Sequence, residues 1–530
     1  MTADSAAELT SPEPRDRARA LIERGISRLD TGERDSAMND FLEAERVAAE
    51  TGLDGLVRTS RINQGYVYTV EGDSESAARL YEQAADLSRE ADDTERLSLA
   101  LANLSVELKE QGRNEDAITA LSEYLGLLGD DAAAAAAEAY LSRATCLVEL
   151  GDHQAAFVDL DEAEVAAAEA DDQSLRYMVR MSQGGVYVRI GDLMAARIVF
   201  EQAMDLALAA GDKAAIQEAR VSLAQVCRLI GLADQAEGLY EEAEIQYREE
   251  GNSTALADAL YWHGVVLASQ KRVEPALAKW REEEAIRRER GQDGHVAESL
   301  YAQADVLSGA GDHEAANPLF HEAVELLETL NMADDLPVVL YEYGMSLREA
   351  DKPAEALNRA DEAVRLAAVK GDPIVERRAQ SLRAMALADL GQIADAQAAI
   401  DAAESLCADA LAHSAMVWTL ARRAYVLACD AGEPDDVVSA LKAAHEYAMM
   451  HGEFAVSRTA VRRIAEEINS QCGETYARPI EAFRHSQLEE LNRSVNAGMP
   501  RNVTTHPEEV EVPTAVLPDD EEFESSSQEE

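Results

Sequence analysis

The feature that most constrains the fold is an internal repeat with a period of about forty residues. Each copy has an anchor residue, usually glycine, with alanine five residues later and a large apolar residue nine residues later in most copies. The spacing between successive anchors varies by no more than one residue around this period, and ten of the eleven copies carry the alanine. A fixed period of this length is the signature of a repeat protein, so we expect stacked, similar units. The anchors are Gly32, Gly72, Gly112, Gly151, Gly191, Gly231, Lys271, Gly311, Asp351, Gly391 and Gly432.

Each unit is predicted to be a pair of helices. Seven residues before most anchors stands a small residue, such as Gly25 or Gly65, and a large residue usually follows three positions later. Residues three apart share one helix face, so the small residue lets a second helix approach closely. The anchor glycine suits the left-handed position that ends a helix, and a second Gly, Asn or Asp follows about twenty residues later. Because the alternation typical of strands is missing, the sequence predicts an all-α fold.

This pattern resembles the tetratricopeptide repeat (TPR) in its small residue, its turn glycine and the Ala–aromatic–Ala series of its second helix. The resemblance covers residues 18–452. The forty-residue period is similar to that of the long-helix arrays of kinesin light chains, the Leu-Gly-Asn polarity adaptor and the sensor domains of bacterial regulators. The resemblance implies an α-solenoid of about eleven helix-turn-helix repeats. Lys271, Asp351 and the degenerate eleventh copy depart from the pattern, which leaves the geometry of those turns open.

We expect four segments along the chain. Residues 1–14 are predicted to be a disordered lead-in, and residues 15–452 form the solenoid. Residues 453–497 carry helix-spaced apolar side chains and are predicted to be a helical cap, because a solenoid must cover its last apolar face. Residues 498–530 contain ten acidic residues and four prolines, which predicts a disordered acidic tail.

The net charge of −54, from 102 acidic and 48 basic residues, argues against two classes of partner. Nucleic acids and anionic membrane surfaces both attract basic patches. The sequence has no apolar run of about 18 residues that would span a membrane, and residues 1–14 lack the apolar core of a secretory signal. Five cysteines form no CxxC pair, so we expect reduced thiols in a cytoplasmic protein.

The common catalytic motifs are missing from the sequence. It contains no GxxxxGK(S/T) phosphate loop and no HExxH, GxSxG or Cys/His cluster, and its ten histidines are scattered. We therefore predict a non-enzymatic protein without a cofactor or a metal site.

Charge is distributed unevenly within each repeat. The fourteen residues before each anchor, which correspond to the first helices, hold 17 basic and 15 acidic side chains, whereas the rest of the chain carries a net charge of −56. The resemblance implies that first helices line a concave groove. The sequence thus predicts a near-neutral groove whose arginines suit an acidic or carboxylate-terminated partner segment. The alternative is that arginine stems simply pack along the helices. The candidates are Arg189, Arg228, Arg378 and Arg422.

Two further columns of residues are candidates for peptide binding. Asn63 and Asn103 both lie nine residues before an anchor, where asparagine in similar arrays bonds the backbone of a partner peptide. Ten residues before three consecutive anchors stand Tyr261, Tyr301 and Tyr341. That tyrosine column is either a recognition stripe or ordinary helix packing.

These observations predict an adaptor or scaffold that binds a protein or peptide partner in its groove. One alternative is a sensor that responds to a ligand or peptide. Another is an acidic, salt-adapted scaffold without groove specificity, since only seven lysines stand beside 41 arginines. The identity of the partner, the oligomeric state and the role of the acidic tail stay open at this point.

Overall fold

A computed structural model of the chain describes residues 13–129, 131–407, 413–451, 454–473 and 475–496. The predicted lead-in, apart from its last two residues, and the predicted acidic tail lie outside these ranges. The described residues form 24 α-helices and no strand, which confirms the all-α fold class. Among these residues, no helix combines the length and apolar character needed to cross a membrane.

The helices follow one another with short turns. They are α1 (Pro14–Asp30), α2 (Arg34–Glu50), α3 (Asp54–Glu71), α4 (Ser74–Glu90), α5 (Thr94–Glu110), α6 (Asn114–Leu127), α7 (Ala133–Glu149), α8 (His153–Glu169), α9 (Gln173–Arg189), α10 (Leu193–Ala210), α11 (Lys213–Leu229), α12 (Ala233–Glu250), α13 (Ser253–Ser269), α14 (Val273–Glu289), α15 (Asp293–Gly309), α16 (His313–Leu330), α17 (Leu336–Glu349), α18 (Pro353–Lys370), α19 (Pro373–Asp389), α20 (Ile393–Cys407), α21 (His413–Cys429), α22 (Pro434–His451), α23 (Phe454–Gln471) and α24 (Ala477–Asn496).

The chain divides into two compact units, unit 1 (Met1–Leu239) and unit 2 (Tyr240–Glu530). The odd-numbered helices from α1 to α21 are the first helices of the repeats, and the even-numbered helices from α2 to α22 are the second helices. In both units, first helices pack against their own second helix and also against neighbouring first helices. The described part of each unit is therefore a stack of helix pairs, as in an α-solenoid.

Left-handed residues end the first helices where the sequence predicted. The ten anchors from Gly32 to Gly391 have φ values between 58° and 84°, and Lys271 and Asp351 adopt this conformation without being glycine. The predicted anchor of the eleventh repeat, Gly432, is wrong by one residue, because the left-handed residue is Ala431, with φ 50°. Gly432 is thus an extra residue in the turn before α22, and the first helices keep their forty-residue spacing to the end of the array.

The two helices of each pair approach closely because of the small residues that the sequence analysis identified, and we call this contact between the two helices the small-residue seam. The alanines five residues after the first ten anchors are fully buried. The glycines seven residues before several anchors lie against a large side chain of the second helix. A methyl group on Gly184 would lie 2.3 Å from the Phe200 ring, far inside contact distance. The same relation holds for Gly25 with Phe41, Gly65 with Tyr81, and Gly264 with Trp280.

At the C-terminal end of unit 2, α23 packs on α21 and buries Val461, Ile464 and Ile468. This packing suits a cap, and that role for residues 453–497 stays a proposal. The repeats of a solenoid are expected to contact only their neighbours, and this end departs from that rule. Arg348 on α17 forms an ion pair with Glu467 on α23, although α19 and α21 intervene in the order of first helices. The first helices of this region therefore converge closely enough for long side chains to bridge them.

Candidate peptide-binding face

The first helices of unit 1 share a solvent-exposed face. Helices α1, α3 and α5 contact one another in order, so residues at one distance from their anchors form columns across the repeats. Positions thirteen, nine, six and two residues before the anchor follow helical spacing and lie on one side of each helix. We call this side of α1, α3 and α5 the first-helix face.

Large apolar side chains are exposed on the first-helix face. Ile26, Tyr66 and Val106 occupy the column six residues before the anchor and are 43%, 49% and 50% exposed. Val70 and Leu99 lie on the same face and are also exposed. Repeated exposure of apolar groups in three consecutive repeats is typical of a surface that meets a partner. The sequence reasoning missed this column, although its constant offset from the anchors was a readable signal.

Asn63 and Asn103 lie in the adjacent column of the same face, and both are half-buried. The Asn63 Nδ2 atom donates a hydrogen bond to the Thr59 carbonyl oxygen of its own helix, at 2.8 Å. Asn103 makes no side-chain hydrogen bond within the described part of the chain. Each amide therefore retains donor or acceptor capacity for another backbone, while their role in peptide binding stays a prediction.

Many first-helix arginines already have internal partners. Arg24, eight residues before its anchor, is paired with Asp40, eight residues after that anchor. Arg143 and Asp159 repeat this arrangement with an Nη2–Oδ1 distance of 2.6 Å. These pairs join the first helix of a repeat to its second helix. The uneven charge distribution is therefore explained at least in part by ion pairs inside the protein, without an acidic partner.

The two arginine candidates in unit 1 are also engaged. Arg189 donates to Glu149 on the preceding first helix, with an Nη2–Oε1 distance of 3.0 Å, and both side chains are about 40% exposed. Arg228 is half-buried on α11 and already interacts with other residues. To bind a carboxylate of a partner, either guanidinium would have to give up or share an existing contact within the protein.

In unit 2 the structure brings three of the predicted site residues together. The Tyr341 ring is buried, and the Arg378 guanidinium carbon lies 4.4 Å from the ring centroid. Arg422 Nη2 lies 3.5 Å from the Tyr341 hydroxyl, across 81 residues of sequence. Arg378 is also paired with Glu342, a residue that the sequence reasoning missed. We call Tyr341, Glu342, Arg378 and Arg422 the arginine cluster.

Tyr301 precedes Tyr341 in the tyrosine column and is likewise buried. Its ring centroid lies 6.2 Å from that of Phe320, and burial raises the pKa of Tyr301 well above its usual range. A partner could reach either tyrosine ring only by displacing other side chains. The geometry of this column is that of helix packing, and a role in recognition stays a prediction.

Arg422 differs from the other arginines of the cluster. Within the described ranges it has no carboxylate at ion-pair distance, and its Nε atom is enclosed without a hydrogen-bond acceptor. The Trp418 ring, one turn earlier on α21, has its centroid 5.8 Å from the guanidinium carbon. A half-buried cation without an acidic partner is costly, so Arg422 is well placed to receive a carboxylate from outside.

Comparison with known proteins bears on the fold. No protein-family model matches the chain, and no curated protein sequence matches it. The crystal structure of the apo form of RapI is similar, with a TM-score of 0.55 and 10% identity, covering 67% of this chain and 98% of RapI. A Rap protein complexed with competence and sporulation factor has a TM-score of 0.42 and 14% identity, over 68% of this chain and 98% of that one.

A further similar structure is a tetratricopeptide repeat protein from Parabacteroides merdae. Its TM-score is 0.37 and its identity 16%, over 51% of this chain and 93% of the other. At these identities a likeness shows the fold alone, and among these three structures the likeness to RapI, with its TM-score of 0.55, carries weight. Taken with the forty-residue period, the left-handed anchors and the small-residue seam, it shows that the chain has a helical-repeat fold of the tetratricopeptide type.

Proposed function

We propose that this protein is a non-enzymatic cytoplasmic scaffold that binds a partner peptide on the first-helix face of unit 1. The observation that carries the proposal is the exposed column of Ile26, Tyr66 and Val106 beside Asn63 and Asn103. Apolar side chains of the partner would cover the column. The asparagine amides would bond its backbone, which is a sequence-tolerant way to hold an extended segment.

The contacts on the first-helix face contribute enough free energy for reversible binding of a peptide. Covering the exposed half of one large apolar side chain contributes about 1 kcal/mol. Five such side chains contribute about 5 kcal/mol, the apolar groups of the partner that they cover contribute about as much again, and two backbone hydrogen bonds add about 2 kcal/mol. Set against an association cost of at least about 4 kcal/mol, these contributions allow at most micromolar affinity, about −8 kcal/mol.

We further propose that the arginine cluster of unit 2 receives an acidic residue or a terminal carboxylate of a partner segment. Arg422 supports this assignment, since its guanidinium has no carboxylate within the described residues. Arg378, whose guanidinium carbon lies over the Tyr341 ring, would also contribute once its pairing with Glu342 is shared. The internal contacts of Arg189 and Arg228 make them weaker candidates for the same role.

The test of the first-helix face starts from an array of 15-residue peptides, followed by calorimetric titration of the peptides that bind. Val106→Glu should weaken binding by at least tenfold, because it places a charge in the apolar column. Val165→Glu is the matched control, since Val165 is similarly exposed but lies on the second helix α8. Equal affinity of the two variants would refute the assignment of this face.

A ligand-responsive sensor is the second candidate, and the arginine cluster favours it, because the half-buried guanidinium of Arg422 beside a tyrosine hydroxyl also fits a small carboxylate. One of the similar structures is a Rap protein complexed with competence and sporulation factor. A thermal-shift screen of small carboxylates, with Arg422→Gln as the comparison, distinguishes this candidate from peptide binding. Stabilisation that depends on Arg422 would favour the sensor.

A further inference from the structure

Two cysteine thiols meet at the junction between the last repeat and α23. Cys429 is the final residue of α21, and Cys472 directly follows α23. Their Sγ atoms lie 3.5 Å apart, although 43 residues separate them in sequence. Both side chains are partly exposed, whereas Cys146 and Cys227 are buried in unit 1. The side chain of the fifth cysteine, Cys407, lies outside the described residues.

The surroundings of the pair make the two thiols unequal. The hydrogen bond between the two sulfur atoms lowers the pKa of Cys472 and raises the pKa of Cys429. The positive charge of Arg348 further lowers the pKa of Cys472, while burial and the carboxylates of Asp389 and Glu467 oppose this effect. Because the thiolate is the nucleophile in thiol–disulfide exchange, Cys472 is the thiol that reacts first.

We propose that Cys429 and Cys472 form a reversible disulfide, and that small-molecule disulfides such as glutathione disulfide are the oxidant. In the first step the Cys472 thiolate attacks one sulfur of glutathione disulfide. The glutathione S–S bond breaks, a mixed disulfide forms on Cys472, and one glutathione thiolate leaves. In the second step Cys429 loses its proton to water and attacks the Cys472 sulfur, releasing the second glutathione. Two protein thiols are oxidised and one glutathione disulfide is reduced.

The geometry allows this bond with little rearrangement. A disulfide needs an S–S distance of about 2.05 Å, so the two sulfurs must approach by roughly 1.5 Å. Both cysteines stand at helix ends, where the backbone tolerates small shifts more easily than within a helix. The junction is already closed by Tyr476, whose hydroxyl oxygen lies 3.2 and 3.0 Å from the carbonyl oxygens of Ala428 and Gly432, so that its single proton is shared between these two acceptors.

The bond would fasten α23 to α21, the helix that carries Arg422. It would also close a 43-residue loop, which restricts the unfolded chain and so stabilises the junction. The alternative is that the two thiols only pack together through a weak S–H···S contact. A packed pair that does not react and a redox-active pair give different results on oxidation, so the two are separable by experiment.

The experiment uses the full chain in buffers with graded ratios of reduced to oxidised glutathione. Free thiols are blocked with N-ethylmaleimide after denaturation, counted by mass spectrometry, and mapped by non-reducing proteolysis. We expect two of the five thiols to be lost together, with a two-electron dependence on the glutathione ratio, and a linked peptide joining residues 429 and 472. The melting temperature of the oxidised protein should rise by roughly 5 °C.

Single variants complete the test. Cys429→Ser should trap glutathione on Cys472, whereas Cys472→Ser should leave Cys429 largely unmodified, and both should lose the thermal shift. Cys227→Ser, which removes a buried thiol of unit 1, is the matched control and should leave the 429–472 bond unchanged. Retention of all five thiols in oxidising buffer would overturn the proposal. So would a linked peptide involving another cysteine, or stable mixed disulfides without the internal bond.

Discussion

Two adjacent glycines of α9 allow a direct test of the small-residue seam. Gly184 is buried against the second helix, and a methyl group there would lie 2.3 to 2.7 Å from three carbon atoms of the Phe200 ring. Gly185 is exposed, and a methyl group there would meet no atom within 4 Å. The same substitution to alanine at these two positions therefore has opposite consequences.

The expected changes in the free energy of unfolding follow from two effects. In a helix interior alanine is more favourable than glycine by about 1 kcal/mol, and this gain applies at both positions. At Gly184 the added methyl group forces Phe200, itself only 5% exposed, out of its packed position, and overpacking of this kind costs about 1 to 3 kcal/mol. The very short contacts place the cost at the upper end. We expect Gly184→Ala to lower the free energy of unfolding by about 1 to 2 kcal/mol, and Gly185→Ala to raise it by up to about 1 kcal/mol.

The assay combines urea unfolding with amide hydrogen exchange, because repeat arrays do not always unfold in one step. Exchange should speed up in α9 and α10 for Gly184→Ala and stay unchanged in unit 2. Adding Phe200→Leu should restore part of the lost stability, since it removes the ring that the methyl group strikes. If Gly184→Ala is as stable as Gly185→Ala, the explanation of why glycine recurs at this position is wrong.

Three further predictions rest on single residues. Ala156→Leu, at a fully buried seam position, should cost about 1 to 3 kcal/mol in urea unfolding, with faster hydrogen exchange confined to neighbouring repeats. Ala431→Gly should stabilise unit 2 by up to about 1 kcal/mol, because Ala431 holds a left-handed φ of 50° that glycine adopts without strain. The control Ala428→Gly should destabilise unit 2 by a similar amount, because Ala428 lies within the preceding helix α21, where glycine is less favourable than alanine. Burial raises the pKa of Glu283 to about 7, so the folded protein favours the protonated carboxyl. The contribution of this preference to the free energy of unfolding should be fully present below pH 4.5, the ordinary pKa of the carboxyl. It should fall by up to about 3 kcal/mol as the pH rises from there through 7. Glu283→Gln should remove that pH dependence, and Glu274→Gln, at an exposed position of the same helix, should not.

The fold could be predicted from the sequence because one period controls several independent features. Lys271 and Asp351 lack the glycine that suits a left-handed turn, yet both adopt it, since the packing of successive helix pairs dictates where each first helix must end. The same reasoning explains the error at the eleventh repeat. The residue type predicted the left-handed residue at Gly432, whereas the forty-residue period predicted it at Ala431. The structure has it at Ala431, so the spacing of the helix pairs determines the end of the first helix more strongly than the preference of one residue.

The candidate site was predicted less well, because its residues depend on side-chain directions that a linear pattern does not specify. Tyr341, Arg378 and Arg422 were each selected from the sequence, but nothing in their spacing indicated that they meet across 81 residues. Their contact arises because the first helices of this part of unit 2 converge, as the Arg348–Glu467 ion pair also shows. The sequence analysis did not single out the exposed column of Ile26, Tyr66 and Val106, because the exposure of an apolar side chain depends on the neighbouring helices as well as on the residue type.

The charge of the first helices shows what a residue count can and cannot establish. Near neutrality in one helix of each pair invited the inference that a groove awaits an acidic partner. Yet the Arg24–Asp40 pair and the Arg143–Asp159 pair show that first-helix arginines offset acids of the second helices. A helix can therefore be neutral because its neighbour is acidic. A cation can indicate an external carboxylate only where no internal carboxylate already pairs with it. Among the described residues Arg422 meets that criterion, so it is a more informative residue for the proposed carboxylate site than the net charge of all eleven helices.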